Sequence, residues 1–211
     1  MKYNYIAIEG TIGAGKTSLA TRISTQYNAK LILEQFEENS FLPKFYKEPE
    51  KYAFPLEMSF LASRFQQLKD QLTTQDLFKS FTISDYFINK SLIFAGKTLQ
   101  ADELALYARF FNIIQSSLPR PDLLVYLYLN VDNLKKNIVK RGRSYEQDIE
   151  IAYLQKIQSG YFDYIKQQQD MRVLVIDTNN IDFVEKDADY EKLLEIINQD
   201  YEKGIHRFTL E

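Results

Sequence analysis

The chain has 211 residues, of which 45% are hydrophobic and 26% are charged, and its formal net charge is −3. This length suits one domain with a full core, and the slight acidic excess argues against a nucleic acid as the main partner. The sequence contains no cysteine, which excludes disulfides, a thiolate nucleophile and cysteine-bound zinc. Because strand-like sequence follows Met1 almost directly and no apolar run approaches about 20 residues, we expect no targeting peptide, no membrane span and a cytoplasmic location.

Five short apolar runs, separated by helical patterns, predict the strands. Each run is continuous rather than alternating, as in strands buried on both faces of a parallel sheet. The predicted strands are residues 5–9, 30–34, 81–85, 123–129 and 173–177. The predicted helices are residues 17–27, 52–72, 104–118, 134–141, 149–168 and 190–201. This alternation predicts an α/β fold, a five-stranded parallel sheet with helices on both faces, and we expect residues 204–211 to form a surface strap or to be partly disordered.

Residues 10–17 read Gly-Thr-Ile-Gly-Ala-Gly-Lys-Thr, the G-x-x-x-x-G-K-[ST] pattern, between a predicted strand and a predicted helix. Glycines let the backbone wrap closely around an anion, and the amides of the turn and of the next helix point at phosphate oxygens. Lys16 adds a positive charge for the β- and γ-phosphates, and the Thr17 hydroxyl suits Mg²⁺. The pattern predicts an ATP site formed by Gly10, Thr11, Ile12, Gly13, Ala14, Gly15, Lys16 and Thr17.

Two carboxylates stand at the carboxyl ends of predicted strands, where open parallel sheets bind their ligands. Glu34 ends the second strand and is a candidate general base for a hydroxyl that attacks phosphate. The alternative is an exposed glutamate at a strand end with no chemical role. Asp85 ends the third strand, within Ser84-Asp85-Tyr86, and is a candidate ligand of Mg²⁺, directly or through water.

The segment Lys140-Arg-Gly-Arg-Ser-Tyr-Glu146 follows the end of a predicted helix. The planar donors of Arg141 and Arg143 suit the charge that spreads over a phosphoryl group during its transfer. The segment therefore predicts a mobile lid that closes over the transferring phosphate. The alternative is that these cations only complement the dipole of the helix that ends there.

The segment Phe45-Tyr-Lys-Glu-Pro-Glu-Lys-Tyr-Ala-Phe54, followed by Glu57 and Arg64, resembles a segment of the deoxyribonucleoside kinases. This family of the P-loop kinase superfamily includes deoxycytidine, deoxyguanosine and deoxyadenosine kinases, and the resemblance runs from about residue 3 to about residue 182. It implies one domain over residues 1–211, a nucleoside kinase fold with the sheet order 2-3-1-4-5, and a helical lid at about residues 138–148. It also implies a homodimer, which the many Tyr and Phe residues on helices such as 101–118 fit.

The same resemblance implies the reaction, which is transfer of phosphate from ATP, with Mg²⁺, to the 5′-hydroxyl of a deoxyribonucleoside. Glu34 matches the family's catalytic base, and Tyr46 matches its ligand of the sugar 3′-hydroxyl. Arg141 and Arg143 match its lid arginines, Arg64 and Glu146 match substrate-side residues, and Asp85 keeps the metal-side role at the end of the third strand. We also expect Asp85 and Glu57 on the substrate side, while Lys16 and Thr17 keep the roles that the phosphate loop gives them.

The chain departs from the family pattern at three places. The base is usually followed by Pro-Val and is followed here by Gln35-Phe36. The third strand usually ends in an acidic residue and an arginine, but Tyr86 takes the arginine's position, so that Lys90 becomes the candidate cation. Glu57 occupies the position of the glutamine that usually contacts the nucleobase.

A glutamate at position 57 predicts a preference for purines and above all for guanine. An ionised carboxylate only accepts hydrogen bonds, and guanine presents two adjacent donors, its N1–H and its exocyclic amine. Adenine and cytosine each present an amine beside an acceptor nitrogen, and thymine presents one N–H between two carbonyls. The alternative is that Arg64, seven residues on and so on the same helical face, holds Glu57 away from the base.

Two other functions compete with a deoxynucleoside kinase. A nucleoside monophosphate kinase such as thymidylate kinase has the same fold, but its phosphate acceptor needs a basic pocket, whereas Glu34, Glu37 and Glu38 follow the second strand. A regulatory protein that only binds nucleotides is the second alternative, and such a protein has no need of a base or of lid arginines.

Overall fold

The computed structural model of the protein describes residues 1–35, 39–74 and 76–210. Within these residues, six parallel strands form one sheet in the order β2-β3-β1-β4-β5-β6. They are β1 (Tyr5–Gly10), β2 (Lys30–Ile32), β3 (Thr82–Ser84), β4 (Leu123–Tyr128), β5 (Arg172–Asp177) and β6 (Gly204–Thr209). The five strands expected from the apolar runs are present in the expected order.

The expectation of five strands was wrong by one, because residues 204–209 form β6 at the edge of the sheet. This strand pairs with β5 over its whole length, from Arg172 opposite Gly204 to Asp177 opposite Thr209. Its sequence, Gly-Ile-His-Arg-Phe-Thr, has polar residues among apolar ones, and none of its residues is fully buried. An edge strand that is half exposed lacks the continuous apolar run by which the central strands were recognised.

Helices cover both faces of the sheet, as the alternation of elements predicts. The described residues contain eight α-helices: α1 (Lys16–Tyr27), α2 (Leu42–Lys47), α3 (Pro49–Leu72), α4 (Asn89–Thr98), α5 (Ala101–Gln115), α6 (Val131–Arg141), α7 (Ile151–Ile165) and α8 (Asp187–Ile197). A 3-10 turn, Ser144–Glu146, lies between α6 and α7. The helices α2 and α4 were missed because they are short and lie in segments that carry site residues.

Alternate residues of the central strands enter different cores. Ile8 and Val125 belong to a cluster that includes residues of α1 and α8, whereas Ala7 and Tyr126 belong to a cluster with residues of α4 and α7. Successive side chains of a strand point to opposite faces, so both faces of the sheet are buried. No helix in the described ranges combines the length and the apolarity that crossing a membrane requires.

The sheet order brings the predicted site residues together. Because β3 lies between β2 and β1, the carboxyl ends of these three parallel strands are neighbours. Glu34 follows β2, Asp85 follows β3, and the phosphate loop follows β1. The helix α3 is 24 residues long and contributes buried Glu57 and Arg64.

Candidate active site

The turn between β1 and α1 has the backbone conformation that the phosphate-loop pattern predicts. Gly13 and Gly15 have φ angles of 89° and 87°, a left-handed conformation that glycine adopts without steric cost. A Cβ atom at Gly13 would lie 2.7 Å from the carbonyl oxygen of Leu134, and one at Gly15 would lie 2.6 Å from the ring of Phe183. Both positions therefore require glycine, and the loop leads into the N-terminus of α1, which favours a phosphate.

The side chain of Lys16 folds back over this loop. Its Nζ donates hydrogen bonds to the carbonyl oxygens of Gly10 at 2.9 Å and of Thr11 at 3.2 Å. Burial and the nearby charge of Lys90 lower the pKa of Lys16 to about 8, although Glu9 and other carboxylates oppose the shift. A phosphate oxygen is a stronger acceptor than a neutral carbonyl, so the ammonium is well placed to bind a nucleotide.

Two cavities meet beside the loop. The larger, of about 630 Å³, extends from residues 13–18 to α6 and to the segment after β5. The smaller, of about 90 Å³, lies among α2, α3, α7 and the residues after β2 and β3, and Ile12 lines it. Lys16, Thr17, Arg141 and Arg143 line both cavities. The arrangement fits a donor nucleotide in the larger cavity and an acceptor in the smaller, with phosphate passing between them at the shared side chains.

Glu34 lines the smaller cavity, hereafter the acceptor cavity, and its side chain is 11% exposed. Its Oε1 accepts from Nε of Arg64 at 2.7 Å, and its Oε2 accepts from Nζ of Lys90 at 2.5 Å. Burial alone would raise the pKa of Glu34, but the charges and hydrogen bonds of Lys90 and Arg64 outweigh it and lower the pKa to about 2. Glu34 is therefore an ionised carboxylate held at both oxygens, not an exposed strand end.

Asp85 connects the phosphate loop with Glu34. Its Oδ2 accepts from the Thr17 hydroxyl at 2.5 Å, and its Oδ1 accepts from the backbone amide of Glu34 at 2.8 Å. The residue is almost fully buried. A carboxylate and a hydroxyl so close together are oxygen ligands of the kind that Mg²⁺ takes beside phosphate oxygens and water. Thr17 and Asp85 therefore fit a magnesium ion that is bound with a nucleotide.

Glu57 and Tyr46 line the acceptor cavity from α3 and α2. Glu57 is 2% exposed, and its Oε1 accepts from the Thr98 hydroxyl at 3.0 Å. Its Oε2 is buried and has no hydrogen-bond partner within the described ranges. Burial raises the pKa of Glu57 to about 7, although the charge of Arg64 opposes the shift. Tyr46 packs against Tyr153 with ring centroids 6.3 Å apart, and burial raises the pKa of its hydroxyl.

Arg64 binds partners other than Glu57. Besides Glu34, it donates from Nη1 to the hydroxyl of Ser91 at 2.9 Å. Thr98, on α4, is the residue that donates to Glu57. The interpretation in which Arg64 holds Glu57 away from the base therefore has no support in this arrangement.

Glu146 joins the two predicted lid arginines. Arg141 binds Oε2 of Glu146, and Nη1 of Arg143 lies 3.5 Å from Oε1. Gly142, between the arginines, has a φ of 77° and ends α6, so the chain turns there. Glu146 is almost fully buried and lines the acceptor cavity. Both arginines therefore reach the wall that the two cavities share, whereas residues that only complement a helix dipole need no such contacts.

Comparisons with known proteins show to which family the chain belongs. The family model described as deoxynucleoside kinase matches residues 6–201. The chain belongs to the deoxynucleoside kinase family. The family's members are ATP-dependent enzymes, and the predicted phosphorylation of a deoxynucleoside is confirmed.

Relatives of this deoxynucleoside kinase cover nearly all of it. A deoxyguanosine kinase from Bacillus subtilis is 39% identical over 195 residues, which are 90% of this chain and 93% of that protein. A deoxyadenosine kinase from Dictyostelium discoideum is 32% identical over 203 residues, covering 94% of this chain and 79% of that protein. A solved structure of deoxyadenosine kinase from M. mycoides with dCMP and dCDP bound has a TM-score of 0.80 at 27% identity, covering 92% of this chain and 98% of that one.

Sequence reasoning missed part of the kinase's site. Lys90 was only a candidate for the missing cation, and the structure pairs it with Glu34. Glu9 received no role, yet it is fully buried behind the loop and accepts from the Phe87 amide at 3.0 Å and the Tyr161 hydroxyl at 2.7 Å. A glutamate at the end of an otherwise apolar strand was the signal that would have found it.

Residues 36–38 lie outside the described ranges. They include Glu37 and Glu38, whose negative charges were expected to disfavour a phosphate-bearing acceptor. They also include Phe36, one of the two residues that replace the family's Pro-Val after the catalytic base. The family match excludes both alternative functions, a nucleoside monophosphate kinase and a protein that only binds nucleotides, because the matching family and relatives are deoxynucleoside kinases.

Proposed function

We propose that this kinase prefers purine deoxyribonucleosides, and deoxyguanosine first, as acceptors of the γ-phosphoryl group of ATP. The observation that carries the preference is the buried Oε2 of Glu57, which lacks a hydrogen-bond partner in the described part of the chain, on a side chain that lines the acceptor cavity. A buried polar atom without a partner is costly, so a ligand with donors there gains affinity.

The edge of the base decides which ligand satisfies Glu57 best. An ionised carboxylate accepts the two adjacent donors of guanine as a charge-assisted pair. The edges of adenine and cytosine place an acceptor nitrogen opposite one carboxylate oxygen, and thymine offers a single donor. The names of the relatives support this order, since the Bacillus subtilis protein is a deoxyguanosine kinase and the Dictyostelium discoideum protein is a deoxyadenosine kinase.

We assign the chemical steps to the side chains that surround the meeting point of the cavities. Glu34 accepts the proton of the 5′-hydroxyl, while Arg64 and Lys90 keep its carboxylate in one orientation. Lys16, Arg141 and Arg143 stabilise the charge on the transferring phosphoryl group. Tyr46 and Glu146 bind the sugar, and residues 138–148 act as a lid that closes on the donor.

Thr17 and Asp85 hold the Mg²⁺ that accompanies ATP in this proposal. Their hydrogen bond of 2.5 Å puts two oxygen ligands side by side at the start of α1. When bound, Mg²⁺ neutralises charge on the phosphate oxygens. Because Asp85 also accepts from the backbone amide of Glu34, it fixes the position of this catalytic base relative to the phosphate loop.

Homodimerisation belongs to the same proposal. Leu106, Phe110 and Ile113 of α5 are 43%, 46% and 71% exposed and are spaced four and three residues apart. Such spacing puts all three on one face of the helix. An apolar stripe of this kind pairs with its own copy across a two-fold axis.

The cytoplasmic location inferred from the sequence stays a prediction.

Steady-state rates with the four deoxyribonucleosides and saturating ATP and Mg²⁺ test the preference. We expect kcat/KM to be highest for deoxyguanosine, followed by deoxyadenosine, and lowest for thymidine. The rate of ADP release in the absence of any nucleoside measures hydrolysis of ATP without phosphoryl transfer to an acceptor, and this rate is subtracted. A preference for thymidine would contradict the role given to Glu57 and leave the family assignment intact.

A further inference from the structure

The side chain of Glu57 sits where both of its protonation states are accommodated. The Thr98 hydroxyl lies 3.0 Å from Oε1 of Glu57 and also 3.0 Å from the carbonyl oxygen of Phe94. A hydroxyl has one proton, so Thr98 donates to only one of these acceptors at a time. If Glu57 is ionised, Thr98 donates to it; if Glu57 is protonated, Thr98 turns to Phe94, and the new O–H of Glu57 is left for a ligand.

We propose that the protonation state of Glu57 sets the class of nucleobase that the acceptor cavity takes. The ionised form binds a base edge with two adjacent donors, and the protonated form binds an edge with a donor beside an acceptor. The proposal rests on the preceding one, that Glu57 contacts the base, and it adds that one residue selects two classes of substrate. Deoxyguanosine belongs to the first class, and deoxyadenosine and deoxycytidine belong to the second.

The complementarity follows from counting donors and acceptors. A carboxylate has only acceptors, whereas a carboxylic acid has one O–H donor and one carbonyl acceptor, as an amide side chain does. The acid donates to the ring nitrogen of adenine or cytosine and accepts from the neighbouring amine. Opposite guanine, the O–H of the acid meets an N–H, and two donors that face each other in a buried site cost affinity.

The surroundings of Glu57 place its titration near neutral pH. Burial is the largest influence and raises the pKa, while Arg64, Thr98 and Lys90 lower it and the charge of Glu34 raises it. The resulting pKa is about 7. Among the described residues, the ionisable side chains and hydrogen-bonding groups that interact with Glu57 include Tyr46 on α2, Arg64 on α3, Lys90 and Thr98 on α4, Tyr107 on α5, Tyr153 on α7 and Glu34 after β2.

The test is the ratio of kcat/KM for deoxyguanosine to kcat/KM for deoxyadenosine, measured with MgATP from about pH 5.5 to about pH 8.5. Titrations of ATP, Lys16 and the catalytic base affect both nucleosides alike and cancel in the ratio. We expect the ratio to rise by about tenfold per pH unit around the pKa of Glu57, because the ratio of ionised to protonated carboxyl rises by that factor. A ratio that does not change with pH would overturn the proposal.

Two variants separate Glu57 from any other titrating group. Glu57→Gln has a fixed donor and a fixed acceptor, so its ratio favours deoxyadenosine at every pH. Thr98→Val removes the hydrogen bond that stabilises the carboxylate, so the pH at which the preference changes moves upward. Glu195→Gln makes the same substitution at an exposed position of α8 and is expected to behave as the unchanged protein does.

The outcomes distinguish this proposal from the preceding one. If the ratio of Glu57→Gln changes with pH as the unchanged protein's does, another group is responsible and the proposal is wrong. If Glu57→Gln does not fold, Thr98→Val provides the test instead. The proposal is then wrong if the pH at which the ratio changes is the same in Thr98→Val as in the unchanged protein. A constant ratio that favours deoxyguanosine contradicts only this proposal, whereas a preference for thymidine at every pH contradicts the assignment of Glu57 to the base and both proposals with it.

Discussion

The ammonium of Lys90 lies 2.5 Å from Oε2 of Glu34, although the two residues are 56 positions apart in the chain. Arg64 occupies the other oxygen of the same carboxylate. The residue that takes the place of the family's arginine, Tyr86, is buried and instead donates to Gln67 at 2.5 Å. Lys90, four residues after Tyr86 and in the first turn of α4, therefore brings a cation to the oxygen of Glu34 that Arg64 does not bind.

Replacing Lys90 with methionine tests this relationship. We expect kcat to fall by about tenfold or more, because Glu34 then turns freely about its contact with Arg64, and orientation is a large part of catalysis. Loss of one member of a buried pair also destabilises the fold, by about 3–5 kcal/mol. Lys90→Arg keeps the charge and is expected to recover part of the activity.

The control for Lys90→Met is Lys97→Met on the same helix. Lys97 pairs with Asp163 at 2.9 Å at the surface, and such pairs contribute little to stability. Steady-state kinetics and urea unfolding of both variants provide the comparison. A Lys90→Met enzyme that is less stable but has an unchanged kcat would show that Lys90 is only structural.

Replacing Glu34 with glutamine removes the proposed base but keeps its shape. We expect kcat to fall by about 10²–10⁴, the contribution typical of general bases, while ATP binding measured by calorimetry is retained. The low pKa of Glu34, about 2, keeps it ionised at every working pH, so its protonation does not limit the rate of the unchanged enzyme in mild acid. Near-normal turnover of the variant would show that Glu34 is not the base.

The two lid arginines are expected to act mainly in the transition state. Arg141→Ala and Arg143→Ala each lower kcat much more than they raise the KM for the nucleoside, because the charge they stabilise develops only as phosphate is transferred. Arg207→Ala, at an exposed position of β6, is the matched control and keeps both constants. If only the nucleoside KM changes, the arginines belong to the sugar side of the site.

The sequence predicted best those features that depend on a short stretch of neighbouring residues. The phosphate loop, the buried strands and the carboxylates after β2 and β3 each follow from spacing or periodicity alone. The pairing of Lys90 with Glu34 did not, because it depends on how α4 packs against the sheet and on which rotamer reaches across. The strand β6 was missed for a related reason: partial exposure removes the apolar signal on which recognition depends.

The apolar stripe of α5 predicts the oligomeric state. Light scattering at micromolar concentration is expected to give the mass of a dimer for the unchanged protein and that of a monomer for Phe110→Glu, because a buried unpaired charge in an apolar interface is costly. Phe78→Glu puts the same charge on a phenylalanine that is 88% exposed elsewhere and should leave the dimer intact. A monomeric mass for the unchanged protein would contradict the prediction.

The buried carboxyl of Glu57 also predicts how stability depends on pH. Its pKa is about 7 in the folded protein, above the ordinary value of 4.5 that applies to the unfolded chain. Between these two values the folded protein holds a proton that the unfolded chain has lost, so a rise in pH destabilises the fold, by about 3 kcal/mol in total. Glu57→Gln carries no such proton. The difference in unfolding free energy between the variant and the unchanged protein should therefore grow in the variant's favour from about pH 5 to about pH 7 and then level off. Urea unfolding without substrate measures it at each pH, with Glu195→Gln as the control. A difference that is constant over this range would show that Glu57 is already ionised in mild acid.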